Sequence, residues 1–136
     1  MRLVVDSNRF IAALIKDGLS RTSISSRNLS FYSPSYVLEE VEKYLPYIIN
    51  KSKMSKENIE LLFALFSENI ETVSDNDIKR KMPEAIKIME NIDMNDAPIL
   101  ACALAIRNQG IWTEDRHFEK QDKVRMWKSA DLLDHL

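Results

Sequence analysis

Few residues in this sequence would interrupt or cross-link a fold. Its 136 residues include two glycines, four prolines and one cysteine. The scarcity of glycine and proline argues against long structureless loops. The single cysteine, Cys102, excludes an internal disulfide framework and is typical of a reducing compartment, so we expect a cytoplasmic protein. A chain of this length can bury a core of its own, and we expect one domain over residues 1–136.

Hydrophobic runs of membrane-spanning length are absent as well. The longest run, residues 98–106, is well short of the ~20 residues that a spanning helix needs. No apolar segment typical of a signal peptide follows Met1. We therefore expect no membrane partner.

The net charge and the types of potential metal ligands exclude further classes of function. The net charge of −2 argues against a DNA-binding protein driven by bulk electrostatics, although local basic residues or bound metal ions would still permit contact with nucleic acid. No histidine or cysteine spacing is typical of a zinc site. Carboxylates without matching bases instead favour hard divalent cations.

Short apolar runs alternate with segments of helical periodicity. Strands are predicted at 2–6, 29–32, 70–73 and 111–113, with a weaker fifth at 124–127. Helices are predicted at 9–16, 20–27, 35–45, 56–66, 97–107 and 130–135, and two further helical pieces begin after Ser74 and at Pro83. Pro46 should break or kink the chain. This alternation predicts an α/β/α sandwich around a central, mainly parallel sheet of four to five strands.

Two acidic residues each follow a predicted strand. Asp6 comes after the apolar run 3–5, and Asp115 comes after 111–114. Because ligands bind outside the carboxyl ends of parallel strands, we expect both carboxylates at one edge of the sheet. Asp6 could instead cap the first helix, a role that Ser7 or Asn8 would serve equally well.

Sequence position alone does not decide the role of the other acidic residues. The pattern does not show whether Glu114 or Asp115 points into the crevice, where Thr113 could add a hydroxyl. Asp93 and Asp96 lie near a predicted helix start, and acids at helix N-termini are stabilised by capping and by the helix dipole in any case. A catalytic function and a purely structural one are both open for these two residues.

Helical geometry separates the glutamates of the helix at 35–45. At about 100° per residue, its apolar side chains form one stripe: Val37, Val41, Tyr44 and Ile48. Glu40 lies at the edge of this stripe, whereas Glu39 points nearly opposite, as a solvated acid should. A carboxylate held against the protein needs a partner or a metal, and this requirement predicts a function for Glu40.

Convergence of these acids at one site would require compensation. Two carboxylates ~4 Å apart repel by about 4 kcal/mol at an effective dielectric constant near ~20, and several such pairs would rival the stability of a whole domain. Either protons stay bound, or one or two Mg²⁺ or Mn²⁺ ions offset the repulsion. Such an ion would also lower the pKa of a bound water and stabilise charge on a phosphate.

Nearly the whole chain resembles a PIN domain through four segments in order: LVVDSN, SPSYVLEEVEKY, DMNDAPILACALA and IWTEDRHF. This family of small metal-dependent nucleases includes toxins of toxin–antitoxin pairs, such as those of the VapC type. The resemblance implies a single PIN-like nuclease domain with a central parallel sheet. It also implies hydrolysis of RNA phosphodiester bonds by a metal-activated water, and it raises the expectation of an antitoxin protein as a partner.

The resemblance also assigns roles to the acids. The family's acidic quartet corresponds to Asp6, Glu40, Asp96 and Asp115, which would be both the catalytic residues and the ligands of Mg²⁺ or Mn²⁺. It prefers Asp115 to Glu114. Further candidates for the same site are Asp93, Thr113 and Asn8. The alternative is a non-catalytic RNA-binding or assembly module with the same fold.

Basic and aromatic residues occur beside the expected site: Arg9, Phe10, Arg116, His117, Phe118 and Lys120. Basic groups hold an RNA backbone, and aromatic rings stack on exposed bases. We therefore expect single-stranded RNA as the substrate, with Arg9, Arg116 and His117 among its contacts.

The helix at 56–66 has more apolar faces than one core contact requires. Leu61 and Leu65 lie outside the face formed by Ile59, Leu62 and Phe66. This predicts a homodimer or a groove for a partner helix, or else burial on two sides within the monomer.

Overall fold

The central feature of the computed structural model, which describes residues 1–136, is a five-stranded sheet. Its strands are β1 (Arg2–Val5), β2 (Ser30–Pro34), β3 (Ile70–Val73), β4 (Gly110–Trp112) and β5 (Met126–Trp127). They are ordered β3-β2-β1-β4-β5, and every neighbouring pair is parallel. β1 is therefore central, and its residues Leu3, Val4 and Val5 are fully buried, as expected for a parallel strand covered on both faces.

Helices cover both faces of this sheet. The α-helices are α1 (Ser7–Ile15), α2 (Leu19–Ile24), α3 (Ser35–Lys43), α4 (Leu45–Ser52), α5 (Lys56–Glu68), α6 (Asp75–Met89) and α7 (Ala97–Ala105). Short 3-10 helices lie at Met94–Asp96, Arg116–Lys120 and Ser129–His135. None of the helices combines the length and the apolarity that crossing a bilayer requires.

The apolar core has two parts, one on each side of the sheet. Leu3 and Val5 of β1 belong to one cluster of buried side chains, and Val4 belongs to the other. This division follows because successive side chains of a strand point to opposite faces. The predicted α/β/α sandwich is therefore confirmed, and its sheet is parallel throughout.

Strands and helices meet abruptly at the carboxyl edge, by which we mean the residues that follow β1, β2 and β4. α1 begins two residues after β1 ends, and α3 begins directly after β2. Within the sheet, Val5 pairs with Trp112 and Val4 pairs with Tyr32, so these strand ends are immediate neighbours. The fold thus brings the residues after β1 and β4 together with the first turns of α1 and α3.

Two prolines within the helical segments have different consequences. Pro46 interrupts the helix as predicted: α3 and α4 are separate, and Pro46 lies in the first turn of α4, where a missing N–H costs no intrahelical bond. The prediction that Pro83 starts a new helix is wrong, since α6 continues through it. Ile78, Ala85 and Met89 of α6 are all buried in one core cluster, and this packing against α7 outweighs the local cost of the proline.

Two further expectations from the sequence differ from the structure. Tyr44 is 49% exposed instead of buried, because α3 ends at Lys43 and its apolar stripe does not continue. Ile48 is buried, but it belongs to α4. The predicted last helix is a 3-10 helix, Ser129–His135.

Candidate metal centre

The four acids singled out from the sequence line one cavity at the carboxyl edge. Asp6 follows β1, Glu40 lies on α3, Asp96 immediately precedes α7 and Asp115 follows β4. The cavity has a volume of ≈ 280 Å³, and its other lining residues are Ser7, Asn8, Tyr36, Asn95 and Ile99. We call it the acid cavity. It collects side chains from positions as distant in sequence as 6 and 115, which only the parallel sheet makes neighbours.

Asp6 is held by hydrogen bonds on both of its carboxylate oxygens. Oδ1 accepts from the backbone N–H of Arg9 at 3.1 Å, and Oδ2 accepts from the hydroxyl of Thr113 at 2.5 Å. The first bond makes Asp6 the N-cap of α1, which therefore begins at Ser7 rather than at residue 9. Asp6 thus caps a helix and lines the acid cavity at once. Burial raises the pKa of its carboxyl group, although both hydrogen bonds favour the charged form.

Thr113 links two of the acids. Its buried hydroxyl donates to Asp6 and accepts from the backbone N–H of Asp115 at 3.0 Å. The same strand end separates Asp115 from Glu114. Asp115 lines the acid cavity, whereas Oε1 of Glu114 accepts from the backbone N–H of Ser129 at 2.7 Å outside it. The geometry therefore places Asp115, and not Glu114, in the acid cavity.

Asp93 and Asp96 differ in what their side chains do. Oδ1 of Asp93 accepts from the backbone N–H of Asn95 at 2.9 Å and caps the short 3-10 helix. Asp96 occupies the N-cap position of α7 but makes no capping hydrogen bond. Helix capping therefore does not account for the presence of an acid at Asp96, although it does account for one carboxylate oxygen of Asp93. Burial and the nearby Asp115 carboxylate raise the pKa of Asp96.

His117 lies among three carboxylates, a placement that the sequence alone did not predict. Its Nδ1 is 3.2 Å from Oδ2 of Asp93, 3.1 Å from Oδ2 of Asp96 and 3.2 Å from Oδ1 of Asp115. The ligand atoms of Asp93, Asp96 and His117 all lie within 4.8 Å of one another. The expected role of His117 as an RNA contact therefore competes with a role among the acids. Its position two residues after Asp115, in a tight turn, was the available signal.

Tyr36 is a residue of the acid cavity that sequence reasoning missed. It lies four residues before Glu40 on α3, so both side chains are on the same side of the helix and both line the acid cavity. Burial and the Glu40 carboxylate raise the pKa of the Tyr36 hydroxyl. The hydroxyl therefore stays protonated and can donate a hydrogen bond. The spacing to Glu40 is the signal that would have found it.

The residues expected to contact RNA differ in how exposed their side chains are. Arg116 is exposed, and Asn8, a further candidate for the acidic site, lines the acid cavity. The Arg9 side chain is 17% exposed, and its Nη1 donates to Ser20 Oγ at 3.2 Å, beside a larger cavity that also contains Asp6 and Asp115. Phe10 and Phe118 are buried and cannot stack on bases, which corrects the expectation from the sequence.

The donor set fits a hard divalent cation. None of the four acids pairs with a lysine or an arginine, and Nδ1 of His117 lies 3.1 Å from Asp96 and 3.2 Å from Asp115. Carboxylate oxygens are the ligands that Mg²⁺ and Mn²⁺ prefer. Asp96 occupies a capping position without making the capping bond, and its Oδ2 instead contacts Nδ1 of His117 at 3.1 Å. Asp6, Glu40, Asp96 and Asp115 are the residues that would hold such an ion. They line one cavity, but no three of their ligand atoms lie within 4.8 Å of one another, as those of Asp93, Asp96 and His117 do, so their side chains would have to move closer together to share it.

In an all-parallel α/β sheet, ligands bind outside the carboxyl ends of the strands, and in this structure that edge holds the acid cavity. The PIN domain family model matches residues 4–133, and the chain belongs to that family. PIN domains are generally nucleases. A search of curated proteins found no match.

Proposed function

We propose that this protein is a metal-dependent endoribonuclease that hydrolyses RNA phosphodiester bonds at the acid cavity. The observation that carries the proposal is the meeting of Asp6, Glu40, Asp96 and Asp115 around one cavity in a chain of a nuclease family. Mg²⁺ or Mn²⁺ is the proposed cofactor, because every one of these four ligands is a carboxylate.

The chain's own residues prepare the cavity for phosphate chemistry. The hydrogen bonds from Thr113 and from the N–H of Arg9 fix both oxygens of Asp6, so that carboxylate is oriented before any ligand arrives. The protonated hydroxyl of Tyr36 can donate to a phosphate oxygen. When bound, a divalent cation supplies a water of lowered pKa and offsets the negative charge of the phosphate.

Single-stranded RNA is the proposed substrate class. Arg116 and Lys120 are exposed on the 3-10 helix that follows Asp115, so two cationic side chains belong to the element that directly follows a lining residue of the acid cavity. The Tyr36 ring, 36% exposed, offers a face for an unstacked base. An A-form duplex holds its backbone too rigidly to enter a recessed site.

Cleavage of labelled RNA by a matched pair of variants tests the proposal. Glu40→Gln removes a carboxylate of the acid cavity, whereas Glu39→Gln changes an exposed neighbour outside it. With Mn²⁺ present, we expect Glu40→Gln to slow cleavage of a single-stranded RNA about 100-fold or more and Glu39→Gln to leave it near wild type. Chelation with EDTA should abolish cleavage. Equal activity of both variants, or cleavage in EDTA, would refute a metal-dependent reaction at this cavity.

RNA structure is the variable in a second assay. A hairpin and its single-stranded counterpart of the same sequence should differ, with faster cleavage in the single strand. Arg116→Glu should weaken binding and flatten its dependence on salt, since one phosphate contact is lost. Faster cleavage within the duplex stem would contradict the proposed substrate class.

We extend the proposal to a cytoplasmic toxin that acts with an antitoxin partner, on the basis of the family alone. Induced expression in a bacterial host should arrest growth for wild type and for Glu39→Gln. Glu40→Gln should relieve the arrest, because the nuclease reaction causes it. Arrest by all three proteins at equal expression levels would show that toxicity does not come from the acid cavity.

A further inference from the structure

A cluster of side chains beside the acid cavity contains a nitrogen ligand. Asp93 and His117 do not line the acid cavity, but both contact Asp96, which does. Nδ1 of His117 lies 3.2 Å from Oδ2 of Asp93 and 3.1 Å from Oδ2 of Asp96. Nδ1 of His117 is also 3.2 Å from Oδ1 of Asp115, so Asp96 and Asp115 both lie between two groups of potential ligands, one made of carboxylates and one that includes an imidazole.

The spacing within this cluster, in which Nδ1 of His117 and Oδ2 of Asp96 are hydrogen-bonded, also matches that of adjacent ligands on one cation. Ligands at 2.0–2.2 Å from an octahedral ion are about 3 Å apart along each edge of the octahedron. The two distances from Nδ1 match that edge, and the three ligand atoms lie within 4.8 Å of one another. Little movement is therefore needed for all three to reach a common ion.

Neighbouring hydrogen bonds already orient these ligands. The second oxygen of Asp93 accepts from the backbone N–H of Asn95 at 2.9 Å. The backbone N–H of His117 donates to Oδ1 of Asp115 at 2.9 Å, which fixes the start of the turn that carries the imidazole. Asp96 makes no capping bond. Support of this kind from surrounding groups is typical of metal sites in proteins.

We propose that Asp93, Asp96 and His117 form a second cation position beside the acid cavity, and that this position takes a first-row transition ion in preference to Mg²⁺. An imidazole nitrogen binds such ions well, whereas Mg²⁺ favours oxygen ligands. The inference rests on the proposed function through the shared ligand Asp96 and through Asp115, which also contacts His117. It predicts two different cation positions. Mg²⁺ readily displaces the ion bound at one of them and does not displace the ion bound at the other.

Pulsed EPR of the Mn²⁺-loaded protein tests the nitrogen ligand directly. Mn²⁺ is the weakest binder of its series and is therefore a stringent probe. Wild type should show ¹⁴N coupling from a coordinated imidazole, and the coupling should persist when excess Mg²⁺ is added. His117→Ala should lose the coupling and weaken Mn²⁺ binding at this position at least about tenfold. His135→Ala, which removes an exposed histidine on the ring of Trp127, should change neither.

Further variants separate this inference from the proposed function. Asp93→Asn should weaken the same position without altering the turn that carries His117. Asp6→Asn and Glu40→Gln should lose the Mg²⁺-exchangeable ion and keep the ¹⁴N coupling. If His117→Ala and wild type bind Mn²⁺ identically, or if wild type shows no ¹⁴N coupling, the second position does not exist. If Asp6→Asn and Glu40→Gln bind both ions unchanged, the acid cavity fails as a metal site while the second position stands.

Discussion

The two edges of the sheet use their polar groups in opposite ways. At the amino edge, formed by the residues around the starts of β1, β2 and β4, polar groups pair with one another. The backbone N–H of Arg2 donates to Gln109 Oε1 at 2.6 Å, and the N–H of Gln109 donates back to the carbonyl of Arg2 at 2.8 Å. The terminal amine of Met1 donates to the carbonyl of Asn28 at 3.0 Å. At the carboxyl edge, by contrast, Asp93, Asp96 and Asp115 share one histidine.

This difference shows where the fold is built for stability and where it is built for a ligand. Paired amides and carbonyls at the amino edge stabilise the native state. Carboxylates at the carboxyl edge destabilise it when charged: burial, and to a lesser extent the nearby Asp115 carboxylate, raises the pKa of Asp6 and of Asp96. Departures from local stability of this kind are concentrated at functional sites. Substitutions at the two edges should therefore have opposite effects on the metal-free protein.

Among substitutions at the two edges, the largest effect is expected from Gly110→Ala at the amino edge. Gly110 has φ +143°, and an added Cβ would lie 2.2 Å from the carbonyl oxygen of Arg125 and 2.7 Å from the ring of Trp127. Pairing of β4 with β5 would be lost, and we expect the free energy of unfolding to fall by about 3 kcal/mol or more. Urea denaturation measures this change.

Gly18→Ala is the matched control for that substitution. The nearest atom to its added Cβ is 3.9 Å away, on the side chain of Lys16, so the free energy of unfolding should change by less than about 0.5 kcal/mol. Similar losses in both variants would show that glycine flexibility, and not the close packing at Gly110, is what matters.

At the carboxyl edge, Asp6→Asn should remove the stabilisation that a cation provides. Wild type should gain about 2.7 kcal/mol at a Mn²⁺ concentration 100 times the dissociation constant. The asparagine oxygen can still cap α1, so the variant should fold and yet lose this gain. Thermal melting across a Mn²⁺ titration measures it. Asp17→Asn, at an exposed acid outside the acid cavity, should retain the full gain.

The pH dependence of Asp96→Asn should be smaller but of definite sign. Burial and Asp115 raise the pKa of Asp96 above its ordinary value of 3.8, so the folded state binds this proton more tightly than the unfolded state does. The stability that protonation provides is present at low pH and is lost as pH rises through the folded-state pKa. In metal-free buffer, Asp96→Asn should therefore become more stable relative to wild type as pH increases. If the difference in free energy of unfolding between Asp96→Asn and wild type does not change with pH, the pKa of Asp96 is not raised.

The smallest effect is expected far from both edges. Leu61 on α5 is 58% exposed, so Leu61→Glu should change the free energy of unfolding by less than about 0.5 kcal/mol. Ile59→Glu, at a fully buried position on the same helix, should unfold the protein. If the predicted homodimer forms through Leu61 and Leu65, Leu61→Glu should sediment as a folded monomer. A wild-type protein that is already monomeric at high micromolar concentration would exclude that dimer.

Much of the architecture could be predicted because it depends on local periodicity. Alternating apolar runs and helical stripes predicted the parallel sheet between two helical layers, and the interruption at Pro46 followed from a missing N–H. The relation of Glu40 to Glu39 is a matter of helical angle, so the exposed position of Glu39 was also predictable. The role of the four acids as metal ligands stays a prediction.

Other features depend on contacts between residues that are distant in sequence. Packing of α6 on α7 carries the helix through Pro83, and the end of α3 at Lys43 exposes Tyr44. Neither result is visible in a window of neighbouring residues, because the energy that decides it comes from another helix or from the end of the element.

The sequence by itself determined the class of fold, the acids at the strand and helix ends, and the membership of a nuclease family that the motif order indicated. The tertiary structure alone decided that Asp6 caps a helix while lining the acid cavity, that Glu114 turns to Ser129, and that His117 lies among Asp93, Asp96 and Asp115. The physical reason is that periodicity sets which face a residue occupies. Which side chains come within hydrogen-bond distance of one another depends instead on strand register and on turns that bring distant parts of the chain together.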